Sequence, residues 1–168
     1  EKAELCDLVF QSERGRAKQM NLGAKFASGK WLVFLHADTH LPADFESIVS
    51  KTLFNPSFLW GWFGVSFDAD GLSYSVIAKL MNVRARLTSV STGDQTLVVN
   101  RKFFKELKGF ADIPIMEDIE LTSRLRRYAK PQVIGGFVTT SARRWQKEGV
   151  LRTIVLMWSL RFLYFIGI

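Results

Sequence analysis

Cysteine is almost absent from this chain of 168 residues, which carries Cys6 and no other. A lone cysteine excludes a disulfide bond within the chain and argues against a metal site built on cysteine thiolates. It is typical of a small core residue in a reducing compartment, so we expect a cytoplasmic protein. The sequence also lacks internal repeats, low-complexity tracts, linkers and a leading signal peptide. We therefore expect residues 1–168 to form one domain.

Acidic residues are in the minority, because 16 Asp and Glu face 23 Lys and Arg and leave a formal charge of +7. This balance suits a polyanionic partner: a nucleotide diphosphate, an anionic membrane surface or a nucleic acid. Nucleic acid is the weakest of the three, since the arginines are scattered over several elements and no recognition motif is present.

Long uncharged apolar runs are missing too, even from the apolar C-terminal segment at residues 150–164. Arg152 and Arg161 interrupt this segment, and its uncharged stretches fall far short of the ~20 residues that a membrane span needs. We expect it to form a helix that packs in the core or on a neighbouring subunit, in preference to lying in a membrane interface.

Strands and helices alternate along the chain, which predicts an α/β fold built on a mostly parallel sheet. The run at residues 31–35 is apolar without polar alternation, as is typical of a strand buried on both faces at the centre of such a sheet. Strands are expected at residues 5–10, 31–35, 59–67, 95–99 and 138–141, and helices at residues 16–28, 45–53, 72–88, 101–107, 117–129 and 150–164.

Three polar clusters lie between these elements. Ligands bind beyond the carboxyl ends of parallel strands, so His36 and Asp38 should stand at the mouth of a site. Imidazole nitrogen and carboxylate oxygen are both ligands of divalent metals. The residues alone leave a second interpretation open, in which Asp38 starts a turn and the Glu-Asp pair only caps a helix. The clusters are His36-Ala37-Asp38, Gly93-Asp94-Gln95 and Met116-Glu117-Asp118.

Taken in order, these clusters and their flanks resemble the inverting family-2 glycosyltransferases, which have the GT-A fold. Residues 14–24 are similar to that family's Gly-x-x-x-x-x-Asn-x-Gly segment, and residues 27–30 to its Ala-x-Gly lead into the Asp-x-Asp motif. Gly109-Phe110, residues 116–121 and Arg124-Leu125 resemble its Gly-Phe…Glu-Asp-x-Glu-Leu…Arg-Leu block. The residues at these positions are more similar still to a bacterial subgroup named for association with radical-SAM and selenium-domain genes.

The resemblance implies transfer of a sugar from a nucleotide-diphosphate donor to an acceptor hydroxyl. Asp38 matches the acid that holds a divalent metal, Mn²⁺ or Mg²⁺, on the donor diphosphate. His36 stands where the family usually has another acid, so it is a candidate metal ligand, a ribose contact or a residue that shapes the turn. Asp118 matches the general base. Expected donor contacts are Arg16, Lys18, Asn21, Ala37, Asp38 and Arg144, with Arg143 beside it, and expected acceptor contacts are Asp94, Gln95, Glu117 and Trp145.

Several of these assignments have plainer alternatives. Asn21 would hold a loop, Arg144 would pair with a surface carboxylate, and Trp145 would belong to the core. Two other functions also stay open. Nucleotidyltransferases share a similar layered fold and metal use, although no Gly-rich phosphate loop is present. A degenerate transferase would only bind a partner, and retention of Asp38 and Asp118 argues against it.

The family begins with a strand, a helix and a second strand that carry most of the nucleotide-base pocket. This sequence starts after them, so we expect an N-terminally truncated domain. The expected partners are a nucleotide-diphosphate sugar and an unidentified acceptor, with peripheral contact to the inner face of a membrane and homo-oligomer formation as further options.

Overall fold

The structure, a computed structural model, describes residues 6–167. Its strands are β1 (Trp31–Phe34), β2 (Thr39–His40), β3 (Trp60–Phe67), β4 (Leu97–Asn100) and β5 (Gln132–Thr140). Its helices are α1 (Arg16–Phe26), α2 (Phe45–Leu53), α3 (Leu72–Thr88), α4 (Arg101–Glu106), α5 (Glu117–Tyr128), α6 (Arg143–Glu148) and α7 (Val150–Phe165). One 3₁₀ turn, Gly93–Gln95, precedes β4.

The five described strands form one sheet in the order β1-β4-β3-β5-β2. Three of the four pairings are antiparallel, and β3 with β5 is the parallel pair. The α/β class is confirmed, but the expectation of a mostly parallel sheet with β1 at its centre is wrong. Within residues 6–167, β1 ends the strand order. Burial of this strand on both faces is wrong as well, since Leu32 is the one buried residue of β1 and Val33 is 39% exposed. An apolar run alone fixes neither the place of a strand in the sheet nor its direction, because both depend on partners far away in the chain.

The strand expected at residues 5–10 is not found in the described part of the chain. Leu5 lies outside the described residues, and residues 6–10 pair with none of the five strands. Instead, the Phe10 ring stacks on Phe26 at the end of α1, with ring centroids 4.2 Å apart. This segment is therefore held by a side-chain contact and not by backbone pairing.

Both faces of the sheet are covered by apolar side chains. Leu97 and Val99 of β4 belong to one core, and Val98 between them belongs to the other, as the two-residue repeat of a strand requires. The first core also contains Trp60 and Trp62 and receives α1, α4 and α5. The second receives α2. Consecutive apolar residues are buried because helices lie on both sides.

Helix α7 departs from the predicted core role. Thr153 is its one buried residue in the described part of the chain. The expectation that α7 closes the core of this domain is therefore wrong, while packing on another subunit stays a prediction. Large apolar side chains are exposed along it at Leu151, Val155, Trp158, Phe162 and Phe165. None of the helices within residues 6–167 has both the length and the apolar character needed to cross a membrane.

Candidate active site

The loop between α3 and β4 is fixed by its own side chains. The Thr92 N–H donates to Gln95 Oε1 at 3.3 Å, and the Gln95 N–H donates to the Thr92 carbonyl at 2.9 Å. Gln95 is fully buried, and its amide also donates to Asn82 Oδ1 at 3.3 Å. Ser89 and Thr96 flank the turn with positive φ values of 54° and 51°, a strain that persists where surrounding structure enforces it. Gln95 therefore shapes the loop that presents Gly93 and Asp94.

Asp118 lies in the first turn of α5 and faces this loop. The Gly93 N–H donates to Asp118 Oδ2 at 2.6 Å, and the Ile119 N–H donates to Oδ1 at 2.7 Å. Met116, with φ 66°, bends the chain immediately before the helix. Both carboxylate oxygens are thus oriented by backbone donors, and the side chain remains an acceptor for a further proton donor.

His36 follows β1 and lies directly against Gly93. A Cβ atom on Gly93 would stand 2.1 Å from His36 Nε2, so glycine is what lets the imidazole lie in this position. Arg16 is hydrogen-bonded to Nε2, and Nδ1 lies 3.4 Å from Asp94 Oδ1. Arginine can only donate, so in the neutral imidazole Nε2 accepts and Nδ1 carries the proton that faces Asp94.

Arg16 also connects this histidine to a buried acid. Its Nε lies 3.1 Å from Oε1 of Glu117, whose side chain is 1% exposed. A buried carboxylate needs such a counter-charge. The contacts link Glu117, Arg16, His36 and Asp94 in sequence, and so join the starts of α1 and α5 to the end of β1 and the 3₁₀ turn. Both Arg16 and Glu117 hold the site together.

Asp94 is an acid of this site whose pKa is shifted. Burial alone would raise its pKa, although its side chain is 44% exposed. The hydrogen bond and charge of His36, together with the charges of Arg16 and Arg144, outweigh burial and keep the pKa of Asp94 below its ordinary value of 3.8. Asp94 is therefore a fixed negative charge beside the candidate base.

Two residues expected to contact the donor are engaged with protein groups. Asn21 Nδ2 donates to the Phe110 carbonyl and Oδ1 accepts from the Phe110 N–H, both at 2.9 Å. This pair fixes the Gly109–Phe110 loop, as the plainer alternative anticipated. Lys18 pairs with Glu13 at 2.5 Å and Asp112 at 3.7 Å, and the Glu13 hydrogen bond leads the effects that raise the Lys18 pKa.

Ala37 and Asp38 are exposed in the turn between β1 and β2. The Asp38 carboxylate stands at a strand end, which fits a single metal ligand. His36 does not fit a second one while its ring nitrogens face Arg16 and Asp94. Over residues 6–167, no cluster of three or more His, Cys, Asp or Glu is arranged to hold a metal.

The basic pair and the tryptophan lie on α6, a helix that the sequence did not predict. Arg144 Nε is 3.7 Å from Glu148, one turn further along α6, while its charge also reaches Asp94. Arg143 is exposed. The half-buried Trp145 ring packs edge-on against Phe67, with centroids 5.8 Å apart. Arg144 has the carboxylate partner that the plainer alternative predicted, while Trp145 is half-buried and belongs to neither core.

Asn82 is a positioning residue that the sequence interpretation missed. Its side chain accepts from the Val65 N–H and donates to the Val65 carbonyl, both at 2.9 Å, and it also accepts from Gln95. It thereby ties α3 to β3 and to the loop of the site. The sequence signal that could have pointed to Asn82 is its polar amide among the apolar positions Met81 and Ala85 of the same helix.

Replacing Gly93 with Ala should disrupt the contacts of His36. The new methyl group would displace the imidazole from Asp94 and Arg16, because the calculated Cβ position overlaps the ring. The chain should still fold, since a side chain and not a backbone atom is in the way. The chemical shifts of the His36 ring by NMR, compared with those of His40, are the measurement. Unchanged His36 shifts in Gly93→Ala would contradict the described contact.

The fold and the site together define the class of the protein. The mixed sheet covered on both faces agrees with the GT-A fold, which a family match and a solved structure support. The chain belongs to glycosyl transferase family 2, whose model matches residues 3–110. Asp118 lies beyond the matched residues, so its role is a proposal. None of the curated proteins matches the chain.

A solved structure shares this fold. It is the mannosyltransferase PcManGT from Pyrobaculum calidifontis, in complex with GDP-Man and Mn²⁺, with a TM-score of 0.54 and 18% sequence identity. The similarity covers 76% of this chain and 36% of that one. The chain thus spans about a third of the length of PcManGT, and this likeness shows the fold alone.

Proposed function

We propose that the protein is a metal-dependent inverting glycosyltransferase that uses a nucleotide-diphosphate sugar. One observation carries the proposal: His36 and Asp118, from two distant segments of the chain, meet at Gly93 and its neighbour Asp94. Family membership supports glycosyl transfer. The GDP-Man and Mn²⁺ bound to PcManGT support a guanosine diphosphate sugar as the first donor to try.

Asp38 is the proposed metal ligand. Its exposed carboxylate would hold Mn²⁺ or Mg²⁺ only with the diphosphate oxygens of the donor, since one protein ligand is too few for a tight free-ion site. When bound, the metal would neutralise the charge of the departing diphosphate. Ala37 and Arg144 are proposed donor contacts. Arg16 is proposed to position the His36 ring.

Asp118 is the proposed general base. Its oxygens are oriented by the Gly93 and Ile119 N–H groups and can accept the proton of an acceptor hydroxyl as that oxygen attacks the anomeric carbon. Asp94, beside it, is the proposed acceptor contact. The proposal also includes a cytoplasmic location with peripheral contact to an anionic membrane, supported by the +7 charge and the exposed apolar side chains of α7.

Replacing Asp38 with Asn should abolish metal-dependent nucleotide binding. Calorimetry on the intact protein would compare Mn²⁺ alone, GDP alone, and GDP with Mn²⁺. We expect GDP affinity to rise at least about tenfold when Mn²⁺ is present, and Asp38→Asn to remove that rise. Asp44→Asn is the matched control, because Asp44 is exposed and makes no side-chain cap to α2. A rise of equal size in Asp38→Asn would contradict the metal assignment.

The reaction itself is tested by release of GDP from GDP-mannose in the presence of Mn²⁺ and by the anomeric configuration of the product. Inversion converts the α-linked sugar of this donor into a β-linked product, which proton NMR distinguishes. Metal-dependent GDP binding without any transfer or hydrolysis would favour the non-catalytic binding protein. A retained α configuration would contradict the inverting mechanism.

A further inference from the structure

Two arginines beside the candidate base have donors without acceptors. Arg84 lies on α3 and Arg161 on α7, and both side chains are partly buried. Within residues 6–167, Nε and Nη2 of Arg84 and Nε of Arg161 are shielded from solvent and donate to no acceptor. Leaving charged donors buried and unpaired is costly, so this arrangement calls for an anion.

The two guanidinium groups also repel each other. Burial, followed by the charge of Arg161, lowers the pKa of Arg84 to about 10, even though Asp118 and Asp94 act in the opposite direction. Burial lowers the pKa of Arg161 as well, against the attraction of Asp118. Two like charges held together in a partly buried place are stabilised when a shared anion stands between them.

Within residues 6–167, none of the site's carboxylates accepts a hydrogen bond from these nitrogens, and each contacts other groups. Arg126, by contrast, donates to the Thr88 carbonyl. The carboxylates and their partners are Asp118 with the N–H groups of Gly93 and Ile119, Asp94 with His36, Glu117 with Arg16, and Glu120 with Arg124.

We propose that Arg84 and Arg161 form an oxyanion subsite next to Asp118, which binds a phosphate group of a substrate. Planar guanidinium groups recognise phosphate through paired N–H···O bonds. The phosphate belongs either to the donor diphosphate or to the acceptor, and its assignment to a substrate of sugar transfer rests on the proposed function. The subsite joins α7, the helix with the exposed apolar side chains, to the chemistry at Asp118.

The subsite is tested by calorimetric titration of inorganic phosphate into the intact protein without divalent metal. Arg84→Gln and Arg161→Gln should each weaken phosphate binding by about tenfold or more, because each removes charge-assisted hydrogen bonds. Arg86→Gln on α3 and Arg152→Gln on α7 are the matched controls, since both side chains are exposed and the same charge is lost. Arg84→Lys keeps the charge, should fold like the native chain, and should bind with intermediate affinity.

Competition then identifies the source of the phosphate. Displacement of inorganic phosphate by GDP would place the donor diphosphate in the subsite, and simultaneous binding of both would place an acceptor phosphate there. Absence of phosphate binding in the native protein, or equal weakening by the control variants, would overturn the proposal. Phosphate binding that depends on Arg84 and Arg161, with no Mn²⁺-dependent GDP binding, would instead retain the subsite and contradict the proposed transferase.

Discussion

Replacing Asp118 with Asn should lower sugar-transfer turnover by about 10²–10⁴-fold while GDP affinity with Mn²⁺ is retained. The amide has nearly the shape of the carboxylate, but it cannot take the proton of an acceptor hydroxyl. The measurement is turnover and donor affinity in the same preparation. Lower turnover with unchanged donor affinity indicates that a base is lost, whereas lower donor affinity would indicate that a binding site is lost.

The structure refines this experiment, because both Asp118 oxygens accept backbone hydrogen bonds. Asn has one acceptor oxygen, so one of the two bonds would be lost at about 1 kcal/mol, and unfolding must be measured alongside. Asp112→Asn, an exposed position before α5, is the matched control. If Glu117→Gln abolished turnover and Asp118→Asn left it intact, the base would be misassigned. Because Glu117 is buried against Arg16, any loss there should come with lower stability.

Replacing Gly61 with Ala should reduce the free energy of unfolding by about 3 kcal/mol or more. In the parallel pair of β3 and β5, an added Cβ would stand 2.0 Å from the Gln132 carbonyl oxygen. The obstacle is backbone, so the two strands would have to separate, and overpacking of this kind costs ~1–3 kcal/mol even where side chains can adjust. That is a large part of the ~5–15 kcal/mol that stabilises a typical domain. Urea denaturation followed by tryptophan fluorescence is the measurement.

Gly23→Ala provides the matched control for this substitution. Gly23 lies inside α1, and no atom lies within 4 Å of a Cβ placed there. Ala in a helix interior is favoured over Gly by ~0.5–1 kcal/mol, so this variant should be as stable as the native chain or more so. Equal stability of Gly61→Ala and the native protein would mean that β3 and β5 are not paired in this register.

The helices were largely predictable because their signals are local. The bounds of α3 match the prediction at both ends, and those of α1 and α5 differ only at their C-terminal ends. Apolar spacing and flanking glycines lie within the segment itself. The two-residue strand β2 is too short for a repeat to show, and the six-residue helix α6 was not predicted either.

Strand pairing could not be predicted in the same way. The apolar run of β1 predicted a central, buried strand, but its antiparallel partner β4 begins more than sixty positions further along the chain, and Val33 is exposed. No local pattern in an apolar run distinguishes a parallel from an antiparallel neighbour. The error about the sheet therefore has a different origin from the small errors at helix ends.

At the site, residue types were more predictable than contacts. The three polar clusters do meet, as the order of motifs implied. The engagement of Arg16 with Glu117 and the burial of Gln95 depend on how distant elements pack, and no spacing encodes them. Arg161 was noted only as a charge that interrupts an apolar helix, and its proximity to Arg84 was not predicted, because a charge in such a helix most often faces solvent.

The bond between Asn21 and Phe110 bears on how the protein reaches its native state. These residues are 89 positions apart, yet they fix the loop that leads to Asp118. An unfolded chain must close a loop of that size before the bond forms, and contacts of long sequence separation slow folding. The helices can form within microseconds, but none of them contains the site alone. The ability to bind a substrate should therefore appear only with the final cooperative step of folding. Partly folded chains should contain helices but should not bind a substrate.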